Sequence, residues 1–125
     1  MAPKVLLSAL LLIAVASQAL GAPCGTWDIV AEQSRTGRVV EGQPEYAVDV
    51  RNGCACAQSE VKIRCYGMKS YEPVDPRAIK PIDDENCILK NGAALTREAP
   101  VRFRYVWKTP QDFPVVSSVV QCGNR

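Results

Sequence analysis

The chain has 125 residues, with 15 basic and 13 acidic side chains, six cysteines and no histidine, for a formal net charge of +2 at pH 7. Such a length holds one modest domain, and a near-neutral balance without a basic block excludes nucleic acid as a natural partner. The missing imidazole removes both the usual general base near neutral pH and the usual metal ligand.

The first 21 residues read as a cleavable signal peptide. Lys4 gives a short positive n-region, residues 5–15 are nearly all apolar, and Ala19-Leu20-Gly21 offers the small residues a signal peptidase reads. Cleavage is expected after Gly21, because a cut after Ala22 would set Pro23 beside the scissile bond. The apolar run falls short of the roughly 20 residues a membrane span needs. The last residues, from Cys122 to Arg125, carry neither a hydrophobic tail nor a retention tetrapeptide. Residues 22–125 are then expected to be one secreted domain in the extracellular space. It keeps all six cysteines, Cys24, Cys54, Cys56, Cys65, Cys87 and Cys122. An even count in an oxidising compartment suggests three disulfides, each contributing about 2–4 kcal/mol.

Residues 27–33 (WDIVAEQ) predict a first strand, and the glycine- and proline-bearing 34–44 a surface loop. Tyr46, Val48 and Val50 alternate with Ala47, Asp49 and Arg51, and Val61, Ile63 and Cys65 alternate with Glu60, Lys62 and Arg64. Period-two alternation marks half-buried strands, and the two runs, joined by the turn-rich 52–58, predict a central hairpin. Residues 66–86 contain Gly67, Pro73, Pro76 and Pro81 and are expected to be irregular, with no central strand or long helix. A short strand over 87–90 ends in the turn dipeptide Asn91-Gly92. Residues 101–108 alternate again: Val101, Phe103, Tyr105 and Trp107 point one way, and Arg102, Arg104 and Lys108 the other. Residues 115–122 form the last strand. The fold class is all-β, a small disulfide-stapled antiparallel sandwich or partial barrel of about six strands with little helix.

Strand geometry also limits the disulfides. Cys65 would lie roughly 20 Å from Cys54 and Cys56 at about 3.3 Å per residue, whereas a bridge needs Cα atoms within about 7 Å. Cys65 is therefore expected to pair with Cys87 or Cys24, with Cys54 and Cys56 taking the remaining partners. Cys54-Ala-Cys56 is too tightly spaced for the usual zinc pairs.

Catalytic chemistry finds little support. The run Asp83-Asp84-Glu85 supplies carboxylates for glycoside hydrolysis or for calcium, but consecutive acids in a proline-rich loop read better as a solvated turn. No enzyme activity, catalytic residue, metal site or cofactor is expected. The stripe Arg102, Arg104 and Lys108, beside Tyr and Trp residues, is the better candidate for contact with a partner. Asp75 and Arg77 complete the candidate partner-binding residues. There is no Asn-x-Ser/Thr sequon, and no two Lys/Arg residues are adjacent to form a dibasic processing site. A signal of this kind would be the folded domain itself.

The motifs taken together resemble the tapetum determinant family of plant secreted cysteine-rich proteins. They are Cys24 before Asp28-Ile29-Val30, Pro44-x-Tyr46-x-Val48, Asn52-x-Cys54, Ile63-x-Cys65, Val74-x-Pro76-Arg77 and Asp84-x-x-Cys87. Asn91-Gly92, Phe103-x-Tyr105 and Phe113-Pro114 follow, before Ser117-Ser118-Val119 and Cys122. Two departures are the single residue between Cys54 and Cys56 and a domain that would begin almost directly after the leader. The resemblance implies a secreted ligand for the ectodomain of a leucine-rich-repeat receptor kinase, acting in anther and tapetal cell fate. The alternative is a cell-wall carbohydrate-binding module that uses Trp27, the tyrosines and the basic stripe on acidic polysaccharide.

Overall fold

A computed structural model describes residues 24–122; the leader expected over 1–21 lies outside them. Seven strands form two antiparallel sheets: β1 (Ile29–Val40), β2 (Gln43–Asn52), β3 (Ala57–Arg64), β4 (Ile79–Pro81), β5 (Asn86–Leu89), β6 (Val101–Val106) and β7 (Val115–Gln121). One sheet has the order β1-β2-β6 and the other β4-β5-β3-β7. Among the described residues, helix is confined to 3-10 turns at Thr26–Asp28 and Lys90–Gly92. The architecture is an open sandwich, not a closed barrel.

Alternation places the core as expected. Tyr46, Val48 and Val50 of β2 and Val101, Phe103 and Tyr105 of β6 face Val61 and Ile63 of β3, Ile79 of β4 and Leu89 of β5, with Leu95 and Phe113 supplied by connections. Burying each of these aliphatic side chains contributes about 1.5–3 kcal/mol.

Two sequence expectations are overturned. The central hairpin does not form: β2 pairs with β1 and β6, and β3 pairs with β5 and β7. An apolar stripe is equally satisfied beside a neighbouring strand or across the core from it, and here the two strands face each other across the core. The supposed surface loop over 34–44 is the second half of β1 and the start of β2. β1 runs on to Val40, and the two-residue turn Glu41-Gly42 returns the chain so that Val40 faces Gln43. Both turn residues have positive φ, 50° and 79°, the backbone that two-residue hairpin turns demand and that glycine adopts without strain. The proline-rich 66–86 does contain one strand, β4, but at a sheet edge where Pro81 costs no ladder bond.

All six cysteines are paired, as Cys24–Cys54, Cys56–Cys122 and Cys65–Cys87, with Cα separations of 5.8, 4.7 and 5.8 Å. Cys65 thus takes one of the two partners that strand geometry had left to it. Its distance from Cys54 and Cys56 needed only the length of β3, so it survives the loss of the hairpin. Residues 53–56 cross from one sheet to the other and are fixed at both sides: Cys54 to Cys24, ahead of the Thr26–Asp28 turn that leads into β1, and Cys56 to the residue after β7. Beneath them lies a closed amide network. Asn52 Nδ2 donates to the carbonyls of Cys56 and Leu95, both at 2.9 Å, and Asn52 Oδ1 accepts from the Cys54 N–H at 3.0 Å and from Gln58 Nε2 at 3.3 Å. Gln58 Nε2 also donates to the Gly25 carbonyl at 3.0 Å, and its Oε1 accepts from the Ser118 hydroxyl at 2.6 Å. Every polar atom of these two buried side chains has a partner, which makes their burial tolerable.

Candidate functional site

The outer face of the three-stranded sheet carries the ionic side chains. The register sets Arg102 directly opposite Asp49 and Arg104 opposite Ala47, so that charges on the solvent side meet across strands while Val48 and Phe103 meet in the core. Arg102 Nε donates to Asp49 Oδ2 at 3.0 Å, and Arg51 Nη2 donates to the same oxygen at 3.0 Å. Arg104 Nη1 stands 3.7 Å from Glu45 Oε1, an ion pair too long for a hydrogen bond. The pairs are asymmetric in depth. The arginine side chains of Arg102 and Arg104 are each 67% exposed, whereas Asp49 is 26% and Glu45 only 6% exposed. Carboxylates lie low and guanidiniums ride above them.

Between the strands runs an open groove of about 490 Å³ with Ala47 and Asp49 in its floor, Glu32 and Ser34 along one side, and Arg102 and Arg104 along the other. The small Ala47 side chain leaves room for it. A second, shallower concavity of about 290 Å³ adjoins at Arg102 and takes in Asp75, Arg77, Lys90 and Pro100. There the backbone N–H of Arg77 donates to Asp75 Oδ1 at 3.0 Å, and the Arg77 Nε to the same atom at 3.2 Å. The Arg77 side chain and N–H hold the Asp75 carboxyl below its ordinary pKa.

Four of the five predicted contact residues, Asp75, Arg77, Arg102 and Arg104, therefore share one continuous surface. Lys108 does not. β6 ends at Val106, strand alternation stops with it, and the Lys108 amine sits 5.9 Å from the centroid of the Trp107 ring. Trp107 is half-buried against the core and packs on Tyr71 with ring centroids 5.2 Å apart.

Arg38 and Glu72 went unseen from sequence. Arg38 Nη1 donates to Glu45 Oε2 at 2.8 Å, and its two terminal nitrogens hold both oxygens of Glu72, at 2.8 and 2.9 Å. This clamp raises the Arg38 pKa and lowers that of Glu72, and it fastens the 66–76 segment to the β1–β2 hairpin. Only the strand character of 34–40 could have pointed to it, and that was missed.

The acidic run serves the backbone. Asp83 Oδ1 accepts from the N–H groups of Glu85 and Asn86 at 2.8 and 2.7 Å, which pull its carboxyl below the usual range. Asp83 thereby shapes the turn into β5. The sulfurs of Cys24, Cys56 and Cys122 lie within 4.8 Å of one another. Each is in a disulfide, and such sulfurs offer no thiolate to a metal. Trp27 stands 71% exposed, its ring laid over Gly25, where a Cβ would come within 2.2 Å of it. Among the described residues, no helix is long and apolar enough to cross a membrane.

Comparison with known proteins places the chain. No solved structure matches it. It is 33% identical over 106 residues to "TPD1 protein homolog 1A" of Oryza sativa subsp. japonica, covering 78% of this chain and 46% of the relative. It is 28% identical over 105 residues to "TPD1 protein homolog 1" of Arabidopsis thaliana, covering 82% of this chain and 58% of that protein. The chain thus spans about half the length of the curated relatives it matches. The family model described as "Tapetum determinant 1, C-terminal" matches residues 25–123, from beside the first cysteine to just past the last, and the chain belongs to that family.

Proposed function

We propose that this protein is a secreted, non-enzymatic signalling ligand read by the ectodomain of a leucine-rich-repeat receptor kinase, acting in reproductive cell-fate specification of the anther and tapetum. In this reading residues 1–21 are removed as the leader and the disulfide-held sandwich is released to the apoplast. The observation that carries it is the family match over 25–123. The surface is consistent with recognition: Arg102, Arg104, Arg77 and Asp75 lie together on a rigid sheet and its flank, and such pre-positioned charges steer and orient partners. Titration of the oxidised protein against a panel of leucine-rich-repeat ectodomains is expected to give saturable binding to at least one. The double variant Arg102→Gln, Arg104→Gln, which removes the positive charge without setting like charges against Asp49 and Glu45, should weaken it by about tenfold or more while all three disulfides still form. Absence of saturable binding to every ectodomain refutes the proposal.

A second reading, a cell-wall carbohydrate-binding module, is favoured by one observation, the exposed Trp27 ring, together with Tyr66 at 56% exposure and the cationic side of the groove. Affinity gels containing pectin or glucan separate the two readings. Retardation at physiological salt that is lost in Trp27→Ala supports the module, whereas a ligand migrates unhindered.

A further inference from the structure

The two disulfides of the crossover differ sharply in access and lie against each other. Cys122 is exposed and Cys56 half-buried, whereas Cys24 and Cys54 are each 8% exposed. The sulfurs of Cys24, Cys56 and Cys122 are within 4.8 Å of one another. The third disulfide is out of reach, with Cys65 1% and Cys87 0% exposed. We propose that Cys56–Cys122 is a site of modification by small thiols, and that opening it lets Cys56 attack Cys24, so that the pairs Cys24–Cys54 and Cys56–Cys122 interchange to Cys24–Cys56 and Cys54–Cys122.

The chemistry balances without an oxidant. A small thiolate of the glutathione class attacks the exposed Cys122 sulfur. The Cys56–Cys122 bond breaks, its electron pair stays on Cys56, and a mixed disulfide remains on Cys122. The Cys56 thiolate then attacks the Cys24 sulfur, forming Cys24–Cys56 and displacing the Cys54 thiolate. Cys54 attacks the mixed disulfide at Cys122, forms Cys54–Cys122 and returns the small thiol with its electrons. Nothing is oxidised or reduced overall.

Three observations favour this route. The resident nucleophile and its target are already in one cluster, so the step needs a side-chain rotation and not a refolding of the sheets. Chain entropy does not choose between the isomers, because the separations of 30 and 66 residues each change by only the two positions between Cys54 and Cys56. The entry point is the one exposed cysteine, and exposed disulfides are the ones small thiols open first.

The test is disulfide mapping of the full oxidised chain after exposure to millimolar reduced glutathione, with acid quench and alkylation. Backbone fragmentation across Cys54-Ala-Cys56 tells the two sulfurs apart. The expected result is that Cys24–Cys56 and Cys54–Cys122 rise together from undetectable to a resolved fraction while Cys65–Cys87 stays intact. Recovery of the native pairs alone, or loss of all three disulfides together, overturns the proposal. The variant Cys122→Ser supplies the Cys56 thiol without added reductant. A label found on Cys54, with Cys24 joined to Cys56, supports interchange; a label confined to Cys56, or an intermolecular Cys56 dimer, contradicts it. If that variant does not fold, the glutathione experiment on the native chain decides.

Discussion

At the crossover end, Asn52 and Gln58 direct their buried amides at backbone carbonyls, a backbone N–H, each other and Ser118, and two disulfides close over them. At the opposite end, Phe113 lies edge-on to Phe103 and Tyr105 at centroid distances of 5.5 and 5.6 Å, and Tyr46 stacks on Tyr105 at 5.2 Å. The contrast shows two solutions to one difficulty. A small sandwich has open ends where water meets the core. One end excludes it with ring area, the other with directional bonds under covalent clamps.

Three measurements can break or sharpen that contrast. The largest effect is expected from Phe113→Ala, which empties the wedge between Phe103 and Tyr105 and should cost about 3 kcal/mol or more. Urea unfolding of the oxidised protein reads it; a loss under about 1 kcal/mol would mean that the ring end contributes little. Next comes Asn52→Leu, close in volume but unable to accept from Cys54 or donate to Cys56 and Leu95. With all disulfides intact it should cost about 2–3 kcal/mol, the penalty for orphaned buried polar groups. A neutral outcome would show that the disulfides alone hold the crossover.

The smallest is a pH effect confined to the ring end. Burial pushes the Tyr105 hydroxyl above its ordinary pKa of 10.0, against a lowering by the Gln111 N–H that donates to it at 2.8 Å. The folded state then holds this proton more tightly than the unfolded chain. Its contribution is fully present below the unfolded value and is lost as pH rises through the folded one. Stability should therefore fall above about pH 10, and Tyr105→Phe should flatten that limb. Parallel limbs in both proteins would assign the alkaline loss to other groups.

Much of this was legible in the chain, because period-two alternation is a local signal. It identified the inward residues of β2, β3 and β6, and the length of β3 narrowed the partner of Cys65. What alternation cannot say is which strand lies beside which. A stripe such as Val61-Ile63 reads the same next to β2 or across from it, and so the two halves of the supposed hairpin went to different sheets. The β1–β2 turn was missed because Glu41-Gly42 lacks the Asn or Asp that usually announces such a turn, and with it went Arg38. Arg102 and Arg104 were visible as outward residues, but their carboxylates Asp49 and Glu45 needed the register. Parity could not place Lys108, which stands two residues beyond the end of β6.

Cys24 and Cys122 bring the first and last described residues to one pole, tied to cysteines separated only by Ala55. A short linker could therefore run from Cys122 to Cys24 and the sandwich be reopened elsewhere, for instance at Glu41-Gly42, as a circular permutant of residues 24–122. Tethering such a permutant through that linker would anchor every molecule from that pole, leaving the arginine-bearing sheet presented sideways to whatever is passed over it.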